Sequence, residues 1–205
     1  MAEQDLPVVV IGAGPVGLAA ATHLRSRGLR PLVLEAEAEV GAAMSEWGHI
    51  RTFTPWKYIV DPTARGLLES AGWQHPAEEI PPTGAEVVEQ YLRPLAAALG
   101  PEVVRTEARV VAVSRQGLDK TRTVGREERP FVVRLEDGED LVARAVVDAS
   151  GTWGRSNPLG GSGLPAHGEE TARDFRVGPL PDVLGRDRKG FAGRRTLVVG
   201  LGHSA

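Results

Sequence analysis

Three glycines near the start of the chain have the spacing of a phosphate-binding turn, Gly-x-Gly-x-x-Gly, directly after a β-branched apolar run. In such a turn Gly12 permits the tight bend, Gly14 leaves room for a pyrophosphate, and Gly17 lets the following helix pack closely on the strand. The unpaired N–H groups and the positive dipole end of that helix stabilise the bound anion. The spacing therefore predicts a dinucleotide site. The residues predicted to form its turn are Gly12, Gly14, Pro15, Val16 and Gly17.

A carboxylate stands where a dinucleotide site needs one. Glu35 ends the next apolar run, about 20 residues after the glycine turn, where a carboxylate accepts hydrogen bonds from the ribose diol. The same negative charge repels a 2′-phosphate, so the residues favour FAD or NAD over NADP. The structural alternative is a glycine turn used only for packing, with Glu35 a solvated charge at the end of a strand.

Two strands and a helix must position these residues. Residues 6–11 and 30–35 have the composition of short buried parallel strands, and residues 15–27 have helical spacing that ends at Gly28. Together they predict a βαβ unit. The fold class predicted for the chain is therefore α/β, with a Rossmann-like nucleotide-binding unit at its start.

The rest of the chain alternates predicted helices, strands and loops after an irregular segment at residues 36–62. The Asp137-Gly138 pair is typical of a tight hairpin turn. The sequence predicts helices at residues 63–71 and 84–99 and a strand region at 102–113. A flexible surface loop at 115–130, this hairpin at 131–151 and a Gly- and Pro-rich connector at 151–181 follow.

The strand-plus-glycine pattern occurs a second time, over residues 196–202, where it contains Gly200 and Gly202. The segments "VVVIGAGPVGLAAATHLRSRGLRPLVLEAEAEVG", "VVDASGTW" and "TLVVGLGHSA" together resemble the two-dinucleotide-binding-domain flavoproteins, in particular their flavin-containing monooxygenase-like branch. The resemblance implies FAD at the first motif and NAD(P)H at the second, where His203 and Ser204 follow the glycines.

The resemblance also implies further flavin-site residues. Ala149, Ser150 and Gly151 would run back towards the flavin from the end of a strand, and the region 108–147 would form a β-meander. Within it, Val110 would place its backbone against the adenine.

In related flavoproteins the segment matching "SEWGHIRTFTPW" passes the pyrophosphate and the ring system. There Arg51 would pair with a phosphate, and Trp47 and Trp56 would wall the isoalloxazine. The alternative is a loop pinned to the protein by its aromatic side chains.

Two departures from the family pattern limit the chemistry. The chain has no cysteine, which excludes disulfide reduction by these residues. Phe175 and Gly178 do not have the Phe-x-Gly spacing that often accompanies a downstream His in the monooxygenases, which argues against oxygen insertion but not against flavin binding.

The function predicted is that of an FAD-dependent NAD(P)H oxidoreductase, monooxygenase-like, acting on a small-molecule substrate. Hydride would pass from the nicotinamide to FAD and then to oxygen or another acceptor. No catalytic residue is predicted, because hydride transfer itself needs no general acid or base. The alternatives are an NAD-dependent dehydrogenase that uses the first glycine motif, and a nucleotide-binding fragment without activity.

The composition gives no support for nucleic-acid binding or for insertion into a membrane. The net charge is −3 with scattered basic residues, 41% of residues are hydrophobic, and no apolar run is long enough for a bilayer. Neither nucleic acid nor a membrane is therefore predicted as a partner, no metal site is predicted, and the cytoplasm is the default location.

The position of the second motif predicts the amino-terminal part of a longer flavoenzyme. The expected divisions are an incomplete FAD-binding domain at 1–153, a connector at 154–193, and the first strand of a truncated NAD(P)-binding domain at 194–205. Alone, the chain is expected to bind FAD weakly and to oxidise no NAD(P)H.

Overall fold

The β-branched run before the glycine turn forms a central strand of a parallel sheet. In the computed structural model, which describes residues 5–200, strand β1 is Val8–Ile11, helix α1 is Pro15–Ser26 and strand β2 is Pro31–Leu34. Gly28 has φ +71°, the left-handed conformation that ends many helices. The predicted βαβ unit is confirmed, with each strand two residues shorter than expected.

The sheet has four parallel strands in the order β3-β2-β1-β7, with β3 at Val104–Arg105 and β7 at Ala145–Asp148. Ile11 is in register with Leu34 on one side and with Asp148 on the other. Because the strands are parallel and in register, their carboxyl ends meet at one edge of the sheet. The residues that follow β1, β2 and β7 are therefore neighbours in space.

A separate antiparallel sheet has the order β4-β5-β6, formed by Val110–Arg115, Phe131–Leu135 and Asp140–Ala143. It is the β-meander that the family resemblance implied, and Gly138 at its hairpin turn has φ +93°. The single strand region predicted at 102–113 is divided between the two sheets. Glu107, with φ +52°, lies at the corner where the chain leaves one sheet for the other.

The two faces of the parallel sheet have separate cores. Val10 and Val33 pack in one core with α1 and the later helices, while Val9 and Leu34 pack in the other against the meander. This alternation follows from the two-residue period of a strand. The outcome is three layers: helices, parallel sheet and meander.

The helices of the first unit complete the first layer: α2 Ala42–Glu46, α3 Trp56–Ile59, α4 Pro62–Ser70, α5 Gly84–Val87 and α6 Arg93–Leu99. A further helix, α7 Arg188–Phe191, lies in the later part of the chain. Within residues 5–200 no helix is long and apolar enough to cross a membrane.

A π-helical turn, Val88–Leu92, joins α5 to α6, so the predicted helix at 84–99 is continuous but not uniform. Pro94 has no N–H to give to the carbonyl of Gln90, four residues earlier. The indole Nε1–H of Trp73 donates to that carbonyl instead, at 2.7 Å.

The carboxylate of Asp61 begins α4 and ties it to α1. It accepts hydrogen bonds from the backbone N–H groups of Thr63 and Ala64 at 2.9 and 3.0 Å, and His23 Nε2 lies 3.0 Å from its Oδ2. Burial by itself raises the pKa of this carboxyl group, but the hydrogen bonds from Ala64, His23 and Thr63 outweigh burial. The pKa of Asp61 consequently lies below its ordinary value of 3.8.

We expect Asp61→Ala to lower the free energy of unfolding by about 1–2 kcal/mol at pH 7, because the helix loses its N-cap. A lowered folded-state pKa stabilises the fold above the unfolded-state pKa, about 4, and this contribution disappears as pH falls through the folded-state pKa. Urea unfolding should therefore show a smaller deficit near pH 2.5 than at pH 7. Asp119→Ala, in the exposed loop after β4, should change stability at neither pH. Equal deficits of Asp61→Ala at both pH values would contradict this account.

The chain separates after Gly151 into a second unit, 152–205, which has no strand among its described residues. Several segments of this unit are held by the carboxylate of Glu169, whose side chain is only 4% exposed. That carboxylate accepts hydrogen bonds from the N–H groups of Leu159 and Ala166 at 2.9 and 2.8 Å, and it pairs with Arg176 at 2.8 Å.

The strand predicted at residues 196–202 is not formed over 196–200, and residues 201 and 202 lie outside the described residues. Leu197, Val198 and Val199 are 85%, 63% and 60% exposed. The physical reason is that a strand exists only through hydrogen bonds to a neighbour. Within residues 152–200 there is no strand with which this segment could pair.

Candidate dinucleotide site

The glycine turn, Glu35 and the end of β7 meet at the carboxyl edge of the parallel sheet. Gly12 donates its N–H to the carbonyl of Leu34 at 2.8 Å, and Ala149 donates to the carbonyl of Ile11 at 2.9 Å. In open α/β sheets this edge is where ligands bind. The structure thus brings together the two segments predicted for the first cofactor, at residues 12–17 and 149–151.

The three glycines of the turn have different surroundings. A Cβ on Gly12 would lie 2.7 Å from the carbonyl oxygen of Ala149, and one on Gly17 would lie 1.9 Å from the carbonyl oxygen of Gly12. Gly12 also has φ +97°. A Cβ on Gly14, by contrast, meets no atom within 4 Å. Two glycines are therefore required by the fold, and the third borders open space, as a cradle for a pyrophosphate requires.

The amino terminus of α1 lies at this turn and has no side-chain cap. Gly14 is the N-cap residue, Pro15 begins the helix, and the first turn contains no acidic side chain and no side-chain cap. The first N–H groups of a helix have no partner within the helix, and they carry its positive dipole end. Val16, predicted as a residue of the turn, is 70% exposed.

The carboxylate of Glu35 lies against the glycine turn. Its Oε2 accepts the N–H of Ala13 at 2.7 Å, and its Oε1 accepts the N–H of Glu37 at 3.1 Å. These two bonds fix the carboxylate between the turn and the loop after β2. The remaining lone pairs of the two oxygens can accept hydrogen bonds from a diol.

The segment after β7 is shaped by its own side chains. Ser150 donates to Asp148 Oδ1 through its N–H at 3.1 Å and its hydroxyl at 2.7 Å. These hydrogen bonds from Ser150 hold the pKa of Asp148 below its ordinary value. Gly151 has φ +70°, and a Cβ on it would meet no atom within 4 Å. A ligand could therefore approach the backbone closely at this residue.

The irregular segment after β2 uses its aromatic side chains for packing. Trp56 is 3% exposed and belongs to the helical core, and the ring of Trp47 lies 2.8 Å from the position of a Cβ on Gly84. Arg51 donates to the carbonyl of Pro81 and lies 3.7 Å from Glu86. The structure favours the alternative in which the two tryptophans pin this loop to the protein. Phosphate binding by Arg51 stays a prediction.

Val110, predicted to lie against the adenine, is the first residue of β4 and is half-buried. The pairing of β4 with β5 shifts immediately after it, because Val110 faces Leu135 while Ala112 faces Arg134. Such β-bulges are frequent beside binding sites. The role of Val110 towards adenine remains a prediction.

The residues of the second motif come after the first unit in the chain. Gly200 belongs to the second unit and has φ +120°, whereas Gly202, His203 and Ser204 lie outside the described residues. Within residues 5–200 no group of three or more His, Cys, Asp or Glu side chains is arranged to hold a metal ion.

Sequence reasoning missed two polar contacts of the first unit. His23 lies in α1 and contacts Asp61, and Arg109 pairs with Glu37 across 72 positions of the chain. No local pattern signals pairs this distant in sequence. The Asp-Pro pair that opens α4 is the signal that could have indicated an N-cap at Asp61, which the predicted helix at 63–71 did not include.

Residues 9–177 match the family described as pyridine nucleotide-disulphide oxidoreductase. The chain belongs to this family. Among its curated relatives, a ferredoxin–NADP reductase of Granulibacter bethesdensis is 29% identical over 98% of the chain and 46% of its own length. A rifampicin monooxygenase of Streptomyces venezuelae is 31% identical over 84% of the chain and 37% of its own length.

The solved structures similar to this family member include monooxygenases. A flavin-containing monooxygenase from Stenotrophomonas maltophilia is 32% identical, with a TM-score of 0.55 over 73% of this chain and 39% of that one. A steroid monooxygenase solved with NADP is 28% identical, with a TM-score of 0.54 over 71% of this chain and 26% of that one. The chain thus spans less than half of each of these four proteins, and the predicted α/β Rossmann-like class is confirmed.

Proposed function

We propose that the first glycine turn binds the diphosphate of FAD and that Glu35 holds the ribose of its adenosine half. The observation that carries the proposal is the open space at Gly14, beside an uncapped helix terminus and within reach of a fixed carboxylate. The turn donates N–H groups to the diphosphate, and Glu35 accepts from the diol. Ala149, Ser150 and Gly151 complete the backbone wall of the site.

The activity we propose is that of an FAD-dependent NAD(P)H oxidoreductase of the monooxygenase-like kind. The bound flavin would accept hydride from a nicotinamide and pass electrons to oxygen or another acceptor. The chain's residues bind and orient that group, while Gly200, Gly202, His203 and Ser204 are proposed to begin the nicotinamide site. The similar monooxygenases and reductases support this activity, and a small-molecule substrate and a cytoplasmic location remain part of the proposal.

Titration of the 205-residue protein with FAD and with NAD tests the cofactor assignment. Quenching of flavin fluorescence should report weak but saturable binding of FAD at one site per chain. NAD should compete poorly, because it lacks the flavin half that the resembled proteins enclose. Saturable NAD binding with no uptake of FAD would support the dehydrogenase alternative and overturn the proposal.

We expect Glu35→Arg to weaken FAD binding by about 1–3 kcal/mol, because a charge-assisted hydrogen bond to the ribose is lost. The matched charge reversal is Glu127→Arg in the exposed loop between β4 and β5, which should leave the affinity unchanged. Both variants are compared with wild type in the same fluorescence titration. If Glu35→Arg binds FAD as tightly as Glu127→Arg does, Glu35 is only a charge at the end of a strand.

A further inference from the structure

A cavity of about 510 Å³ opens beside Glu35, between the loop after β2 and the meander. One of its lining residues is basic, Arg109, and four are acidic: Glu37, Glu107, Glu136 and Asp137. An acidic lining disfavours an anion and favours hydrogen-bond donors such as hydroxyl and amino groups. The electrostatics of this cavity therefore select among the nucleotides that the glycine turn could hold.

The single basic group of the lining is already paired. Arg109 Nη2 lies 2.6 Å from Glu37 Oε1, and its Nε lies 3.8 Å from Glu136 Oε2. The Arg109 and Glu37 side chains are 47% and 58% exposed, so the pair contributes little to folding stability. Its effect on the charge presented to a ligand is larger, because a paired guanidinium has fewer donors to offer a phosphate.

This ion pair adjoins the carboxylate that is proposed to hold the ribose. The N–H of Glu37 donates to Glu35 Oε1 at 3.1 Å, and the N–H of Ala108, the residue before Arg109, donates to the carbonyl of Glu35 at 2.8 Å. A ribose bound by Glu35 therefore has its 2′-oxygen close to the Glu37–Arg109 pair. In dinucleotide sites a nearby arginine is the group that accommodates a 2′-phosphate.

We propose that Glu37 is a specificity-determining residue: by pairing with Arg109 it prevents the first site from accepting 2′-phosphorylated nucleotides, the class to which NADP belongs. This inference rests on the proposed function, in which one protein handles both FAD and NAD(P)H. Such a protein needs to exclude the wrong dinucleotide from each site. Keeping the Arg109 guanidinium paired excludes a 2′-phosphorylated nucleotide, because the 2′-phosphate then finds no cation to bind.

The test compares 5′-ADP with adenosine 2′-phosphate 5′-diphosphate, which differs from it only by the 2′-phosphate, by isothermal titration calorimetry of the 205-residue protein. Wild type should prefer 5′-ADP. Glu37→Gln removes the nearer of the two carboxylates paired with Arg109, and the preference should fall by about tenfold, because the Nη groups of Arg109 can then form charge-assisted hydrogen bonds with the 2′-phosphate. The affinity for 5′-ADP should stay within about twofold, because its uncharged 2′-hydroxyl gains little from an exposed guanidinium.

Two further variants separate this mechanism from a general change in charge. Glu37→Gln combined with Arg109→Gln should restore the wild-type preference, because the released cation is then absent. Asp140→Asn removes the carboxylate of another exposed ion pair, with Arg134 at 2.7 Å on the β5–β6 hairpin, and should leave the preference unchanged.

The outcomes distinguish the inference from the proposed function. If all proteins bind 5′-ADP but Glu37→Gln keeps the wild-type preference, the specificity role of Glu37 is wrong while the dinucleotide site stands. An equal change in Asp140→Asn would overturn it too, since net charge alone would then explain the effect. If wild type fails to bind 5′-ADP, the proposed site and the inference both fall.

Discussion

Gly17→Ala should destabilise the first unit by about 3 kcal/mol or more, the largest effect on stability that we expect from one methyl group in this chain. A Cβ at this position would lie 1.9 Å from the carbonyl oxygen of Gly12, a backbone atom that cannot rotate away. Relief requires α1 to move off β1, which opens the core at the buried Leu18 and Ala21. Overpacking of this kind costs typically 1–3 kcal/mol, and more where backbone must shift.

The matched control for this variant is Gly66→Ala in α4. Gly66 is also inside a helix, but it is exposed and a Cβ there meets no atom within 4 Å. That variant should gain about 0.5–1 kcal/mol, because alanine is the better helix former. Urea unfolding of both proteins measures the difference, and a Gly17→Ala protein as stable as Gly66→Ala would show that α1 does not pack this closely on β1.

The elements that the sequence predicted well are those specified by neighbouring residues. The strand, glycine turn and helix around Gly12 and Gly17 follow one another without a break, and the hairpin at Gly138 depends on a two-residue turn. In each case the apolar period and the glycine positions lie within about 20 residues of one another, the range over which local patterns are informative.

The elements that the sequence missed depend on distant partners. The strand region at 102–113 divides at Glu107 because its two halves pair with β2 and with β5, and no periodicity marks which half pairs with which strand. The segment at 196–200 has strand composition, but within residues 152–200 there is no strand with which it could pair. Pro94 inside the predicted helix is a signal that the helical hydrogen bonds are interrupted nearby. It does not indicate that the interruption takes the form of a π-helical turn.

The family description and the composition of this chain place a limit on its chemistry. The family is described by disulphide oxidoreduction, yet the 205 residues contain no cysteine. A dithiol that exchanges with a disulfide cannot be formed by these residues. What the structure does show is a glycine turn in which Gly12 and Ala149 hydrogen-bond to the neighbouring strands, with the carboxylate of Glu35 beside it.

Gly14→Val is expected to weaken cofactor binding strongly while leaving the fold in place, the opposite outcome to Gly17→Ala. A Cβ on Gly14 meets no atom within 4 Å, and its backbone, with φ −81° and ψ −174°, is extended and suits a β-branched residue before proline. Losing glycine at the N-cap costs about 1 kcal/mol at most. The added methyl groups would fill the space proposed for the diphosphate, so the FAD dissociation constant should rise on the order of 100-fold, about 2.7 kcal/mol.

Two measurements on one preparation decide this prediction. Urea unfolding establishes that Gly14→Val is folded, and the fluorescence titration with FAD establishes what it binds. Gly151→Ala is not a suitable comparison because of its positive φ, whereas Gly66→Ala has the same open surroundings far from the turn in sequence and should bind FAD as wild type does. A folded Gly14→Val protein with wild-type FAD affinity would mean that the open space at Gly14 is not where the diphosphate lies, and the assignment of the first glycine motif to a dinucleotide would have to be withdrawn.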